Sequence, residues 1–379
     1  MFLDKIEGSP SLEMVNLVLK KQAAGEKVVS LAIGEPSFNT PPEIVDVACA
    51  SMRAGDVHYT SSFGIPEVRE AISRKVSAKN GMRAGAQNAI FLTTKLAVYA
   101  SMMALVKGPC EVLLPDPGYF YNEPVVLAGG TPRHYRLGEG FSLDPDLVRK
   151  AATKKTRVLV VNTPANPTGR VFTRGELKEL YDLCAERKIS IVSDEAYEDL
   201  VYGKRHFSVG SLEKEPDLVV TLFSLSKSYA MTGWRAGYAV ASERTVSLIS
   251  RFLENTYTSY PPFIQRASAY ALENGDRFIT DFARELRSRK EQAEEWLAKI
   301  PGMEPYEAEG AFYLFPSYGR KASSVDVAKR ILLQEAVAVL PGIAFGQHGE
   351  GRLRISFSGP PSTIEEGMAK LAHFFSHAD

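Results

Sequence analysis

The chain has little of what would give it a covalent framework, a membrane anchor or a nucleic-acid partner. Its 379 residues include only 3 cysteines, Cys49, Cys110 and Cys184. An odd number without CxxC spacing argues against disulfides and for thiols in a reducing cytoplasm. The 6 histidines show no HExxH or comparable spacing, so no metal is assigned. His373 and His377 lie one turn apart on an expected final helix, but no third ligand is in view. Charge of one sign is missing too, since Lys plus Arg and Asp plus Glu each total 45. A neutral chain lacks the broad basic field that nucleic acid or an anionic membrane requires. It also lacks strong charge against self-association. No run reaches the ~18 apolar residues of a membrane span, and the opening MFLDKIEGSPSLEM lacks the apolar stretch of a signal peptide. Internal repeats and low-complexity tracts are absent. What is present is ordinary globular composition, 45% hydrophobic and 24% charged residues. The length exceeds what one core usually serves and predicts two domains.

Apolar runs of strand length alternate with longer helical patterns. The strand candidates are 89–93, 112–114, 158–161, 189–193, 218–223 and 236–241. Helices are expected over 97–106 and over 174–187, the latter capped by Thr173. Strands apolar on both faces and separated by helices predict an α/β domain, with a mainly parallel sheet covered by helices. From Phe278 the apolar positions follow helical spacing to Ile300, with Pro301-Gly302 as the stop. Shorter elements follow: a strand over 311–315, a helix over 325–335, a strand over 352–358 and a helix over 364–377. This reads as a smaller α+β domain. The expected division is 1–45 as an arm that joins the small domain, 46–280 as the large domain, and 281–379 as linking helix and small domain.

Three segments carry the chemistry. Ser224-Leu-Ser-Lys227, with Gly233-Trp-Arg235-Ala-Gly237 after it, follows an apolar strand and places Lys227 in a loop at the strand's C-terminal end. Ligands of open α/β sheets bind at that edge. A lysine there is, taken alone, an ordinary solvated charge. Serine hydroxyls and a guanidinium around it would make a phosphate cradle beside a nucleophile. Asp194-Glu-Ala-Tyr197 ends another strand, where a carboxylate is costly without a partner. Asn162-Thr-Pro-Ala-Asn166-Pro-Thr-Gly169 ends a third; its simplest reading is a turn. All three fall at the ends of expected parallel strands.

These segments, with Leu31-Ala-Ile-Gly34-Glu-Pro36, Tyr59-Thr-Ser-Ser-Phe-Gly64, Gly310-Ala-Phe-Tyr-Leu-Phe315 and Arg354-Ile-Ser-Phe357, resemble the class I/II aminotransferases. These are enzymes of pyridoxal phosphate (PLP) fold type I, and the resemblance covers nearly the whole chain. It implies that Lys227 forms the Schiff base with PLP and afterwards shuttles the substrate proton. Burial and nearby cations should lower its pKa. By the same resemblance Asp194 pairs with the pyridine nitrogen, while Asn166 and Tyr197 bond the ring oxygen. Ser224, Arg235 and the start of the helix near Thr94 and Lys95 hold the phosphate. Many relatives have a glycine-rich turn where this chain has Thr93-Thr94-Lys95, and threonine hydroxyls there are expected to donate to phosphate. Tyr119 would stack on the cofactor. Arg354 would grip the substrate carboxylate and Gly34 close over it, with Arg352, two residues earlier, given a structural role.

The activity implied is transfer of an amino group from an L-amino acid to a 2-oxo acid, with 2-oxoglutarate and glutamate as the default pair. A β- or γ-eliminating lyase would use the same residues and stays open at this stage. A cytoplasmic homodimer is implied, with Tyr59 reaching the neighbouring subunit's phosphate.

Overall fold

The computed structural model describes residues 10–215, 217–319 and 321–377. The first nine residues of the expected N-terminal arm, where the signal-peptide reading rests, lie outside the described residues. Twelve strands occur among those described. They are β1 Val29–Ser30, β2 Ala89–Phe91, β3 Glu111–Asp116, β4 Thr131–Arg136, β5 Thr156–Asn162, β6 Ser190–Asp194, β7 Val219–Ser224, β8 Gly237–Val240, β9 Tyr313–Leu314, β10 Val337–Ala338, β11 Leu340–Pro341 and β12 Leu353–Ser356.

Seven of them form the main sheet in the order β2-β8-β7-β6-β5-β3-β4. Each expected strand of this sheet is present within a few residues. Two features differ from the sequence reading. First, β8 is antiparallel to both β7 and β2, so one strand of the expected parallel set runs backwards. The connection 225–236 holds only a short helix, too little for the covering crossover that a parallel neighbour needs. Second, β4 was missed. It reads Thr-Pro-Arg-His-Tyr-Arg and buries only Tyr135, because an edge strand shows little apolar pattern and tolerates Pro132.

Helices cover both faces. On one face, Pro66–Asn80, Thr94–Leu105, Glu243–Glu254 and Pro262–Asn274 pack a continuous apolar cluster. On the other lies Arg174–Arg187, whose expected limits and cap are both observed. Thr173 Oγ1 accepts the Glu176 N–H at 3.2 Å, and Glu176 Oε2 accepts the Thr173 N–H at 2.7 Å. This reciprocal box satisfies two otherwise orphaned donors. Leu177, Leu180 and Leu183 turn into the core, each contributing about 1.5–3 kcal/mol by burial.

A second core gathers Met14 and Leu31 from early in the chain with Leu286, Ala293, Leu297 and the C-terminal elements. The long helix runs Asp276–Leu297, stopping short of Pro301, and packs on the helix Pro361–His377. Strands β11, β12 and β9 form an antiparallel sheet, and β1 pairs with β10. Leu31 continues that pairing: its N–H donates to Ala338 O, and its carbonyl accepts from Ser356 N–H. Residues 32–36 are thereby laid across the C-terminal edge of the main sheet. The three cysteines are free. Among the described residues no helix is long and apolar enough to cross a membrane.

Candidate active site

The reversal of β8 assembles the site. Because β8 begins where its neighbours end, Arg235 reaches the same sheet edge as the C-terminal ends of β2, β7, β6, β5 and β3. Along that edge lie Thr93 and Thr94, then Arg235, Ser224 and Lys227, Asp194 and Tyr197, Asn166, and finally Tyr119. They line one cavity of about 470 Å³, whose far wall is formed by Gly34, Tyr313 and Arg354.

Lys227 is in a short helix, Leu225–Ser228, not in a loop as expected; Ser224 caps it by accepting the Ser226 N–H. Its Nζ donates to the Gly34 carbonyl at 2.7 Å. Burial pushes its pKa down to about 8; the Glu35 carboxylate opposes this, and Arg354 and Arg235 push it lower still. A tenth of such an amine is free at pH 7, against less than ~0.1% for an ordinary lysine. Gly34 has no room for a side chain, because a Cβ there would meet the Tyr313 hydroxyl.

Asp194 ends β6 with both carboxylate oxygens engaged. Oδ1 accepts the Ala196 N–H at 3.2 Å and Oδ2 accepts the Tyr121 hydroxyl at 2.8 Å. Burial nevertheless raises its pKa to about 6, as for a carboxylate short of a cation. Tyr121 was missed in the sequence. It is the third residue of Tyr119-Phe-Tyr121, and nothing local says which ring turns inward to the carboxylate. Tyr121→Phe removes this charge-assisted bond, so Asp194 should titrate higher and PLP should bind several-fold more weakly. Equilibrium titration of the cofactor's absorbance checks this.

Behind the Asp194 loop lies a buried ionic network that the sequence reading also missed. Glu195 accepts from Ser193, Ser208 and Val209 and faces His206 at 2.9 Å. Glu198 pairs with Lys75, and Asp199 accepts the Ser228 hydroxyl next to Lys227 at 2.6 Å. Ligand atoms of Glu195, Glu198 and His206 lie within 4.8 Å of one another, but the Lys75 ammonium is bonded into that group, which makes it an ion network that holds the loop.

Arg354 is buried. Its Nη1 donates to Asn166 Oδ1 at 3.0 Å and Nη2 to Ala32 O at 2.5 Å, while Nε is buried without a partner. The Tyr313 and Phe345 rings flank it at 4.3 and 5.0 Å. Among the described residues no carboxylate pairs with it. A buried guanidinium with an unused donor is a site for an anion that binds two-pronged. Arg352 does not line the cavity and donates to Phe315 O at 3.0 Å. Asn162 braces the turn of Asn166, donating to Asp194 O at 2.9 Å and accepting the Asn166 N–H at 2.8 Å. The Tyr197 and Tyr313 hydroxyls share a hydrogen bond of 2.9 Å.

The other end of the cavity suits a second anion. The helix Thr94–Leu105 begins at Thr93 with no side-chain cap, leaving its first N–H groups to a ligand. Arg235 Nη2 donates to Thr93 Oγ1 at 2.9 Å. The expectation that both threonine hydroxyls serve phosphate needs correction at Thr94. Its hydroxyl donates into the sheet, to Phe223 O at 2.8 Å, so Thr94 is left to contribute through its backbone. Lys95 lines the cavity and makes no ion pair among the described residues. Tyr59 is 87% exposed and does not line the cavity.

Comparison with known proteins places these features in a family context. Residues 26–371 match the family described as aminotransferase class I and II. The chain is 37% identical to aromatic-amino-acid aminotransferase 2 of Thermococcus litoralis, over 96% of this chain and 97% of that one. It is 35% identical to the aspartate aminotransferase of Bacillus subtilis, over 97% and 96%. Among solved structures, the aspartate aminotransferase of Thermus thermophilus with maleate superposes with a TM-score of 0.93 at 31% identity, covering 98% of each chain.

Proposed function

The chain belongs to the class I and II aminotransferases, and on that premise we propose how its residues divide the work and which substrates they suit. It is a PLP-dependent enzyme that transfers an amino group between amino acids and 2-oxo acids. The cavity fits the cofactor by its donor set. Asp194 is a buried carboxylate short of a cation, which a protonated pyridine nitrogen would supply. Arg235, Ser224 and the uncapped start of the helix Thr94–Leu105 suit a phosphate. Lys227, with its amine made partly free at neutral pH, suits the carbonyl. When bound, PLP supplies an electron sink for the charge that develops at the substrate Cα.

The remaining chemistry falls to the chain. Lys227 would hold the cofactor covalently and, once displaced, its Nζ would take the proton from the substrate Cα. Asp194 would hold positive charge on the ring nitrogen, and Tyr121 orients Asp194. Asn166 and Tyr197 would hold the ring oxygen, and Tyr119 would cover the ring. Arg354 binds the α-carboxylate, and residues 32–36, with Gly34 at their centre, close over it and exclude water. The observation that carries this reading is the pairing of a buried Arg354 that no carboxylate neutralises with a half-buried Lys227 of lowered pKa across one cavity.

Glutamate and 2-oxoglutarate are the proposed common pair. Lys95 supports this, a lysine without an ion-pair partner at the cavity wall, able to receive a second carboxylate. It would then serve the substrate and not the cofactor. Relatives named for aspartate and for aromatic amino acids make those the first further donors to assay. Lys95→Ala should raise KM for glutamate and 2-oxoglutarate by on the order of tenfold, the loss of one charged hydrogen bond, and leave alanine and phenylalanine within twofold. Steady-state kinetics over these donors decides it; equal losses for all would move Lys95 to the phosphate.

We further propose a cytoplasmic homodimer in which Tyr59 completes the neighbouring phosphate site, supported by its exposure beside the exposed Val57. The second core, which joins Met14 and Leu31 to residues beyond 286, favours a division with 1–45 partly in the small domain, 46–280 as the large one and 281–379 completing the small one.

A further inference from the structure

The Phe345 ring that flanks Arg354 belongs to a loop held from outside the cavity. Asp116, the buried last residue of β3, accepts the His348 backbone N–H through Oδ1 at 3.0 Å and faces His348 Nδ1 through Oδ2 at 2.9 Å. Two residues along, the Gly118 N–H donates to the Phe345 carbonyl at 2.8 Å. Gly346, between Phe345 and His348, has φ of 122° and presses so closely on the Asp116 carboxylate that any Cβ would collide with it. Backbone, ring and conformation therefore converge on one carboxylate.

This carboxylate stands between two functional walls. On its own strand end it leads directly to Pro117-Gly118-Tyr119, the cofactor-covering turn. Across the contact it holds the loop 342–349, where Phe345 stacks on Phe120 with ring centroids 5.5 Å apart and lies 5.0 Å from the Arg354 guanidinium. Arg354 is held by Asn166 Oδ1 and Ala32 O and has no carboxylate to fix it, so the rings on either side also set its aim. Tyr313 is fixed by Tyr197. Phe345 is fixed by Phe120 and by the Asp116 contacts.

We propose that Asp116 and His348 form a latch between the main sheet edge and the loop 342–349, and that the latch positions Arg354 for the substrate carboxylate. Both are positioning residues, since neither lines the cavity. The inference rests on the assignment of Arg354 to the α-carboxylate. It names the two residues that couple the cofactor-covering turn to the carboxylate site, so binding at one wall is felt at the other. The backbone half of the contact survives any change at position 348. The imidazole half can be removed and restored separately.

The test uses PLP-loaded enzyme and maleate, a non-reacting dicarboxylate, with binding read by calorimetry. PLP affinity and thermal stability are measured in parallel. His348→Ala should weaken maleate binding and raise the donor KM by about tenfold, well short of the ~100-fold that a gross misplacement produces. PLP affinity should stay within twofold and kcat should change less than KM. His348→Asn, which can still donate to Asp116, should recover most of the loss. Maleate affinity within twofold of wild type in His348→Ala would overturn the latch, as would equal losses for maleate and PLP. Arg354→Ala serves as the reference. If it retains maleate affinity, the assignment of Arg354 itself is wrong, and the latch's role falls with it.

Discussion

Lys227→Met yields an enzyme that binds PLP without a covalent link, has lost transamination by at least the ~10²–10⁴-fold that general acid–base catalysis supplies, and is more stable than wild type when empty. The two effects share one cause. Methionine keeps the buried stem and removes the amine. In the folded chain the amine sits near pKa about 8 instead of 10.5, so folding disfavours its ammonium form. The penalty is absent above the unfolded pKa, grows as pH falls from 10.5 to about 8, and levels off at about 3 kcal/mol by pH 7. Thermal melts of the empty proteins should therefore separate at pH 7, with the variant higher, and converge towards pH 10. Borohydride followed by peptide mapping should attach PLP at residue 227 in wild type and nowhere in the variant. A reducible adduct that persists in the variant would refute the assignment of the nucleophile.

Asp194→Asn should act in the same double sense from the acidic side. Asparagine keeps the shape and the acceptor for Tyr121 but has no charge to hold the ring nitrogen protonated. Transamination should fall on the order of 10²–10³-fold, as when a preorganised electrostatic partner is removed. The empty protein should gain stability. The Asp194 carboxyl sits at about 6 in the fold against 3.8 as its ordinary value. Its folded state thus favours the protonated form, and the native protein loses stability as pH rises from about 4 through about 6. Above that the loss levels off near 3 kcal/mol. Wild type and variant should melt together at pH 4 and apart at pH 7.5, with wild type lower. A variant that melts lower at pH 7.5 would show that the carboxylate is already well paired. The two groups also support each other: the Lys227 ammonium lowers Asp194, and Asp194 raises Lys227. In an aminotransferase of this kind stability is thus given up at the two positions where the cofactor later supplies the missing partner, a positive ring nitrogen and a carbonyl.

What could be read from the sequence follows from how local each signal is. The helix Arg174–Arg187 was legible to the residue because its capping box lies within four positions of the chain. The buried strands were legible because both faces are apolar, and their ends carried Asp194, Asn166 and Lys227. The direction of β8 was not, since it depends on where neighbouring strands lie; the short connection 225–236 was the one clue. β4 escaped because an edge strand buries a single side chain. Lys227 and Asp194, singled out by residue type and place, and Arg354, named through the resemblance, all line the cavity. Their partners Tyr121, Gly34 O and Ala32 O come from segments 73, 193 and 322 positions away. The turn of the Thr94 hydroxyl into the sheet has the same origin, because Phe223 O accepts it across 129 positions.

The central claim is that this chain moves an amino group in two separable halves, with Lys227 as the proton carrier. PLP-loaded enzyme mixed with excess glutamate and no 2-oxo acid acceptor should release one equivalent of 2-oxoglutarate per site and stop. The cofactor's absorbance should pass from the carbonyl form to the amine form, and adding a 2-oxo acid should return it. Continuous release of ammonia and a 2-oxo acid without any acceptor would contradict the account.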